Sequence, residues 1–203
     1  SAVLRACRCW KSALYRTQIM KQVTFYGDLF LPYPIDVALD LPEHYVVNLE
    51  APFTNSEPGY PGKINLRGSL AAFDTTFTHK PLALCLANNH IMDFFEQGFL
   101  DTVRALNERD VPYFGAGYLQ DNCNNPLVIE VAGEHIGLMG YVCPTASPVF
   151  AVESQPGCMP INIDKIKADI SLARDSGAEH IIVQLHWGAE QVGLPRPEDV
   201  KLA

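Results

Sequence analysis

The sequence LALCLANNH, residues 82–90, decides the fold, because six apolar residues run without interruption into Asn88, Asn89 and His90. An unbroken apolar run of this length is typical of a strand buried on both faces, as in a parallel sheet covered by helices. In open α/β sheets, ligands bind beyond the carboxyl ends of such strands. The stretch therefore predicts an α/β fold that delivers polar side chains to a binding edge.

Similar apolar runs on either side predict the other strands of a layered α/β fold. Strands are expected at residues 23–29, 46–49, 82–87, 113–114 and 181–185. Residues 127–131 and 136–142 flank Gly133 and Glu134, a pattern that predicts a hairpin with a tight turn.

Two amphipathic segments predict helices between these strands. Asp93 and Glu96 have the spacing of a capping box and precede a helix that stops near residue 110. Asn162 is the expected N-cap of the second helix, and Gly177 is its expected stop. The apolar face of the first helix is predicted to contain Phe95, Phe99, Val103 and Leu106.

The strand ends define one candidate site, composed of Asp28, Glu50, Asn89, His90 and His186. This mixture of carboxylate, amide and imidazole donors suits divalent ions of the Mn, Fe or Zn class. Two such ions would clamp a phosphoryl oxygen and supply a hydroxide nucleophile. Structural alternatives stay open: a turn for Asp28, a solvated strand end for Glu50, a loop hydrogen bond for Asn89 and a core position for His186.

The composition limits the classes of protein to which this chain can belong. A chain of 203 residues with 48% hydrophobic and 19% charged residues is expected to form one globular domain. Its formal net charge of −8 argues against a nucleic-acid partner, which would require a basic surface.

Residues 1–22 form a distinct basic segment, and residues 23–203 are assigned to the folded domain. The segment contains five Lys or Arg residues and no acid, with apolar residues recurring at helical spacing. Contact with a membrane surface is one interpretation, and a leader remnant or a docked surface helix is the other. We find no signal-peptide pattern and no apolar stretch long enough to span a bilayer in this sequence.

Five motifs, taken in order, resemble the CapA-type capsule-synthesis proteins. These proteins are associated with poly-γ-glutamate and belong to the calcineurin-like metallophosphoesterase superfamily. The resemblance covers residues 23–190 and rests on GDL at 27–29, NLE at 48–50, LANNH at 86–90 with Asp93, GAG at 115–117 and HWGAE at 186–190. The resemblance implies a metallophosphatase-like four-layer α/β/β/α sandwich, here incomplete at the C-terminus.

The resemblance also implies a dinuclear metal site between the two sheets. Asp28 would hold the first metal, Glu50 would bridge both metals, and Asn89 and His186 would bind the second. Phe30 stands where superfamily phosphoesterases usually have a histidine, and this departure weakens the first metal position.

Catalytic roles follow from the same resemblance. His90 would contact the substrate phosphate or protonate the leaving oxygen, with Asp93 orienting its ring. Glu190 would lie within the site without an assigned role. The family's later Gly-His-His-Pro-His-like motif, which supplies the last ligands, does not occur in this sequence.

The function implied is that of a cell-envelope-associated capsule or poly-γ-glutamate biosynthesis protein resembling a metal-dependent phosphoesterase. Its substrate would be an envelope polymer or a phosphoester, and it could work within a capsule-synthesis complex. The alternative is a non-catalytic binding component of a capsule polymer assembly or export complex.

Overall fold

The computed structural model describes residues 22–36, 39–121, 125–146, 148–188 and 192–202. The basic segment assigned to residues 1–22 lies outside the described residues, except for Gln22. Within the described ranges, no helix combines the length and the apolar character needed to cross a bilayer.

Strands and helices alternate along the chain, as expected for an α/β fold. The strands are β1 Thr24–Leu29, β2 Tyr45–Leu49, β3 Ala83–Cys85, β4 Tyr113–Phe114, β5 Ala116–Gly117, β6 Leu127–Val131, β7 Glu134–Val142, β8 Gly157–Cys158 and β9 His180–His186. The helices are α1 Leu70–Thr76, α2 Phe95–Asn107, α3 Ile163–Asp175 and α4 Pro197–Leu202.

The first sheet is parallel and has the order β1-β2-β3-β4. Every residue of β2 and β3 is buried, which explains why both strands are apolar apart from Asn48 in β2. Helix α2 connects β3 to the parallel strand β4 and therefore crosses one face of this sheet.

The second sheet has the order β6-β7-β9, with β6 antiparallel and β9 parallel to β7. The predicted hairpin is present, and its turn consists of Ala132 and Gly133 at φ values of 66° and 87°. Positive φ at both central residues is typical of the type I′ turn, whose twist matches that of paired strands. A separate small pair, β5 with β8, is antiparallel.

The two sheets face each other through alternate residues of β7. A Cβ atom added at Gly140 would lie 2.8 Å from Ala87 Cβ and 2.9 Å from Cys85 Sγ, so glycine allows close approach of the sheets. Ile136 and Leu138 belong to the large apolar cluster shared with the first sheet.

The opposite face of β7 packs against α3. Met139 and Tyr141 form a second buried cluster with Ala173 and Ala178. Because side chains alternate along a strand, β7 contributes to both clusters. The resulting order of layers is helix, sheet, sheet and helix, so the metallophosphatase-like α/β sandwich predicted from the sequence is confirmed.

The predicted strands are present with ends that differ by a few residues. Asn162 caps α3 by accepting a hydrogen bond from the Lys165 N–H at 3.0 Å, and Gly177 follows this helix at φ 91°. The placement of Phe95 on the buried face of α2 was wrong. Its side chain is 39% exposed and stacks on Tyr60, with the ring centroids 5.2 Å apart.

Candidate metal centre

A β-bulge in β1 determines where Asp28 lies. The register of β1 with β2 steps from Tyr26 opposite Val47 to Asp28 opposite Asn48, so Gly27 is an extra residue in β1. Bulges redirect the side chains that follow them. The Asn48 amide donates a hydrogen bond to Asp28 Oδ1 at 2.5 Å.

The buried side chain of Asn88 shapes the turn that follows β3. Its Oδ1 accepts hydrogen bonds from the backbone N–H groups of His90 at 3.0 Å and Ile91 at 2.8 Å. Its Nδ2 donates to the Leu49 carbonyl at 2.8 Å and to Asn48 Oδ1 at 3.1 Å. Asn88 therefore fixes the backbone that presents the next two residues, a role that the sequence did not reveal.

His186 connects the two sheets at the candidate site. It ends β9, and its Nε2 lies 2.9 Å from Asn89 Oδ1 while its Nδ1 lies 3.6 Å from Asp28 Oδ1. Three predicted metal ligands, Asp28, Asn89 and His186, thus come together from β1, the turn after β3, and β9.

The neighbours of Asp28 favour its ionised form. The His186 side chain, whose Nδ1 lies 3.6 Å from Asp28 Oδ1, is the largest influence and lowers the pKa of Asp28, and the hydrogen bond from Asn48 acts in the same direction. Partial burial opposes these effects without cancelling them. Asp28 is therefore a carboxylate at neutral pH, the form that binds cations.

Glu50 follows β2 directly and lies at the same edge of the first sheet. Its backbone N–H donates to the Leu29 carbonyl at 3.0 Å, and the residue is half-buried. Its role as a bridge between two metals stays a prediction. Phe30, which follows β1, is 40% exposed. Glu190 lies outside the described residues.

His90 is oriented by Asp93. The Nδ1 atom of His90 lies 2.7 Å from Asp93 Oδ2, and the Asp93 side chain has no exposed surface. The Leu66 backbone N–H donates to the same carboxylate oxygen at 2.6 Å. A carboxylate that contacts Nδ1 fixes the tautomer of an imidazole and leaves Nε2 to act on other groups.

The predicted capping box at Asp93 and Glu96 was wrong. Phe94 is the N-cap of α2 and makes no side-chain capping hydrogen bond. The Asp93 carboxylate is instead occupied by His90 and by the Leu66 N–H, so it does not contact the first turn of the helix.

Lys63 contacts both parts of this cluster and was missed by sequence reasoning. Its Nζ atom forms an ion pair with Asp93 Oδ1 at 2.7 Å and donates to the Asn89 carbonyl at 2.5 Å. It lies in a loop rich in turn-forming residues, 26 residues before Asn89, and no local pattern connects the two.

The donor types at this site suit a divalent cation, although the described set is small. A carboxylate oxygen, an amide oxygen and an imidazole nitrogen are typical ligands of Mn, Fe and Zn. In the described part of the chain, no three His, Cys, Asp or Glu side chains are grouped closely enough to hold a metal. Asp28 and His186 therefore depend on the Asn89 amide to complete a set of three.

The fold and the residues at its strand ends define a metallophosphatase-like protein. The family model described as bacterial capsule synthesis protein PGA_cap matches residues 35–203, so the chain belongs to this family.

Curated relatives agree with this assignment. The chain is 33% identical over 123 residues to the capsule biosynthesis protein CapA of Bacillus anthracis, covering 59% of this chain and 30% of that protein. It is 30% identical over 118 residues to the PGA biosynthesis protein CapA of Bacillus subtilis, covering 58% of this chain and 31% of that protein.

A mycobacterial relative has a related description. The chain is 31% identical over 135 residues to a probable polyglutamine synthesis accessory protein of Mycobacterium tuberculosis, covering 61% of this chain and 35% of that protein. Each match thus covers about a third of the curated relative. The family description names capsule synthesis, and the descriptions of these relatives name capsule, PGA and polyglutamine synthesis.

Proposed function

We propose that this chain is the metal-binding hydrolase domain of a protein of capsule or poly-γ-glutamate synthesis, acting on a phosphoester or a related bond of an envelope polymer. The observation that carries the proposal is the convergence of Asp28, Asn89 and His186 from both sheets. A structural role for any one of them would not require a carboxylate, an amide oxygen and an imidazole to meet at one point.

The cation site would be formed by Asp28, Asn89 and His186, and Glu50, at the same edge of the first sheet, would join it only if its side chain moved toward the bound cation. The His186 ring already contacts both oxygen donors, so a cation held there would replace one of those contacts. A bound cation would polarise a substrate oxygen and lower the pKa of a water molecule. We propose two ions of the Mn, Fe or Zn class, as expected for the superfamily.

His90 would supply the proton for the leaving oxygen. Asp93 accepts from Nδ1, so Nε2 is the ring atom that would face the substrate. The buried carboxylate also holds the His90 ring in one orientation.

The relatives' descriptions support a role in the cell envelope. Capsule and PGA biosynthesis are named for two of them, and an accessory role in polyglutamine synthesis for a third. We propose that the protein acts on an envelope polymer within a capsule-synthesis complex.

A non-catalytic binding role is the second candidate. The observation favouring it is that Asp28 and His186 have no third acidic, histidine or cysteine ligand near them among the described residues. A weak cation site could bind a polymer without cleaving it.

Metal binding by matched histidine variants tests the first proposal. His186 and His180 occupy opposite ends of β9, and His180 contacts Glu134 far from the site. We expect Mn²⁺ or Zn²⁺ to bind the chain, His186→Gln and Asp28→Asn to weaken binding at least tenfold, and His180→Gln to leave it unchanged. Equal affinities in isothermal titration calorimetry for all four proteins would contradict the proposal.

Hydrolytic activity distinguishes the hydrolase from the non-catalytic binding protein. With metal loaded, p-nitrophenyl phosphate and γ-glutamyl oligomers serve as test substrates for a version of the protein that spans the length of its relatives. We expect His90→Gln to lose hydrolysis while retaining metal binding. Metal-dependent polymer binding without hydrolysis in the parent protein would instead support the binding role.

A further inference from the structure

A cleft of about 490 Å³ lies beside His90 and adjoins the candidate metal site through Asn89, which lines the cleft and contacts His186. Lys63 and His90 line it together with Thr145, and Ile64 and Ala146 add apolar surface. We refer to it as the Lys63 cleft.

The ionisable groups that line the Lys63 cleft are basic, whereas the whole chain is acidic. Among the described residues that line it, the only ionisable side chains are Lys63 and His90, both basic. The chain as a whole has a formal net charge of −8. A locally basic cleft in an acidic protein favours an anionic ligand and disfavours a cationic one.

Lys63 is held in place by groups that lie behind the cleft wall. Asp93 fixes the ammonium and offsets part of its positive charge, but it has no exposed side-chain surface and so offers no carboxylate oxygen to a ligand in the cleft. The Asn89 carbonyl accepts a second N–H of Lys63. The Lys63 side chain is still 23% exposed, so the ammonium held by these two contacts remains accessible to a ligand.

We infer that Lys63 is a specificity-determining residue that binds an oxyanion group of the substrate, a carboxylate or a phosphate, in the Lys63 cleft. The inference deepens the proposed function and rests on it, since it concerns the same substrate. A preorganised ammonium forms a charge-assisted hydrogen bond with such an oxygen, stronger than a neutral one.

The remaining walls of the cleft suit an anionic chain with apolar spacers. The Thr145 hydroxyl also lines the cleft and provides a second polar contact. Ile64 is 80% exposed at this place, and an exposed aliphatic side chain next to an ammonium can pack against methylene groups between charged groups. The cleft therefore combines polar contacts for an oxyanion with an adjacent apolar surface.

Binding of three probes tests the inference: inorganic phosphate, a γ-linked glutamate trimer, and the same trimer with its carboxylates amidated. The variants are Lys63→Met, which keeps the hydrocarbon chain, Lys63→Arg, which keeps the charge, and Lys80→Met as a matched control. Lys80 also donates to a backbone carbonyl, that of Arg109 at 2.9 Å, but lies outside the cleft.

We expect Lys63→Met to weaken binding of the anionic probes at least tenfold, the loss of one charge-assisted hydrogen bond. Lys63→Arg should remain within about threefold of the parent chain, because it keeps a cationic donor. Lys80→Met should not change affinity, and the amidated trimer should not distinguish Lys63→Met from the parent. Preference for phosphate or for the trimer identifies the source of the oxyanion.

Each measurement is made in Mn²⁺ and in EDTA, so that failure of the proposed cation site can be distinguished from failure of the inference about Lys63. Loss of metal binding alone would overturn the proposed cation site and leave Lys63-dependent anion binding intact. Unchanged anion affinity in a folded Lys63→Met variant, or no anion binding in either buffer, would overturn the inference.

If the Lys63→Met variant does not fold, a labelling measurement on the parent chain tests the same inference. Acetylation of Lys63 by an N-hydroxysuccinimide ester, followed by mass spectrometry, should slow when the preferred anionic probe is present. Acetylation of Lys80 should not change. Equal acetylation of Lys63 with and without the probe would contradict the inference.

Discussion

At the scale of single residues, Asp93 is the centre of the site's polar network. It contacts a histidine, a lysine and a backbone N–H while having no exposed side-chain surface. A buried carboxylate is tolerated only when such partners offset its desolvation. Its partners come from a distant loop as well as from the same turn, so its importance follows from the tertiary structure.

Replacing Asp93 with Asn should destabilise the protein by about 2–3 kcal/mol, because Lys63 loses its charged partner in a mostly buried setting. Urea unfolding followed by circular dichroism measures the change. The matched control is Asp74→Asn, which breaks an exposed ion pair with Arg109 at 2.6 Å and should cost less than about 1 kcal/mol. Equal losses for both variants would show that the Asp93 network adds no special stability.

The identities of the site residues were more predictable than their contacts. Asp28, Asn89 and His186 each follow or end an apolar run, so strand position alone brought them together. Lys63 gave no such signal, because its contact with Asp93 depends on how a long loop folds back. Asp93 was predicted to cap a helix because its spacing from Glu96 is a local pattern, whereas its contacts with Lys63 and Leu66 appear only in the folded chain.

At the scale of elements, the sequence predicted the strands formed by long apolar runs, but it did not predict the short elements. β2 and β3 are buried throughout, so their sequences carry an unambiguous pattern. Helix α1 has only seven residues, too few for helical periodicity to be distinguished from a loop. β8 has two residues and is defined by pairing with β5, which no local pattern records.

Gly140 of β7 provides an element-scale prediction. Alanine there would place a Cβ within 2.8 Å of Ala87 Cβ, so the sheets would have to separate. We expect Gly140→Ala to cost about 1–3 kcal/mol of unfolding free energy, the usual effect of overpacking. Because Ala87 directly precedes Asn88, the anion and metal affinities of the site should also fall.

A strand glycine without neighbours is the control for Gly140. An added Cβ at Gly27 of β1 would meet nothing within 4 Å. Urea unfolding of Gly27→Ala should therefore give a free energy within about 0.5 kcal/mol of the parent. If Gly140→Ala were equally harmless, the sheets would not be in close contact at that point.

At the scale of the whole molecule, β7 joins two apolar clusters that would otherwise be separate. Leu138 belongs to the cluster between the sheets, and Met139 belongs to the cluster beneath α3. Adjacent residues of one strand thus support both sides of the sandwich. We expect the two clusters to unfold together.

Leu138→Ala and Met139→Ala test this expectation. Each removes a fully buried side chain and should lower stability by about 2–5 kcal/mol. Leu194→Ala is the control, since Leu194 is 80% exposed and its truncation should cost less than about 0.5 kcal/mol. Two separate transitions in calorimetry, one for each variant's cluster, would contradict cooperative unfolding through β7.

The meeting of Asn89 and His186 has a consequence for folding as well as for chemistry. These residues are 97 positions apart in sequence; Asn89 follows a strand of the first sheet, and His186 ends a strand of the second. A ligand bound by both residues would reversibly link distant parts of the polypeptide. Its binding site would exist only after the two sheets have packed together. A higher concentration of that ligand would then raise the melting temperature by mass action, and a lack of the ligand would make the protein more susceptible to proteolysis.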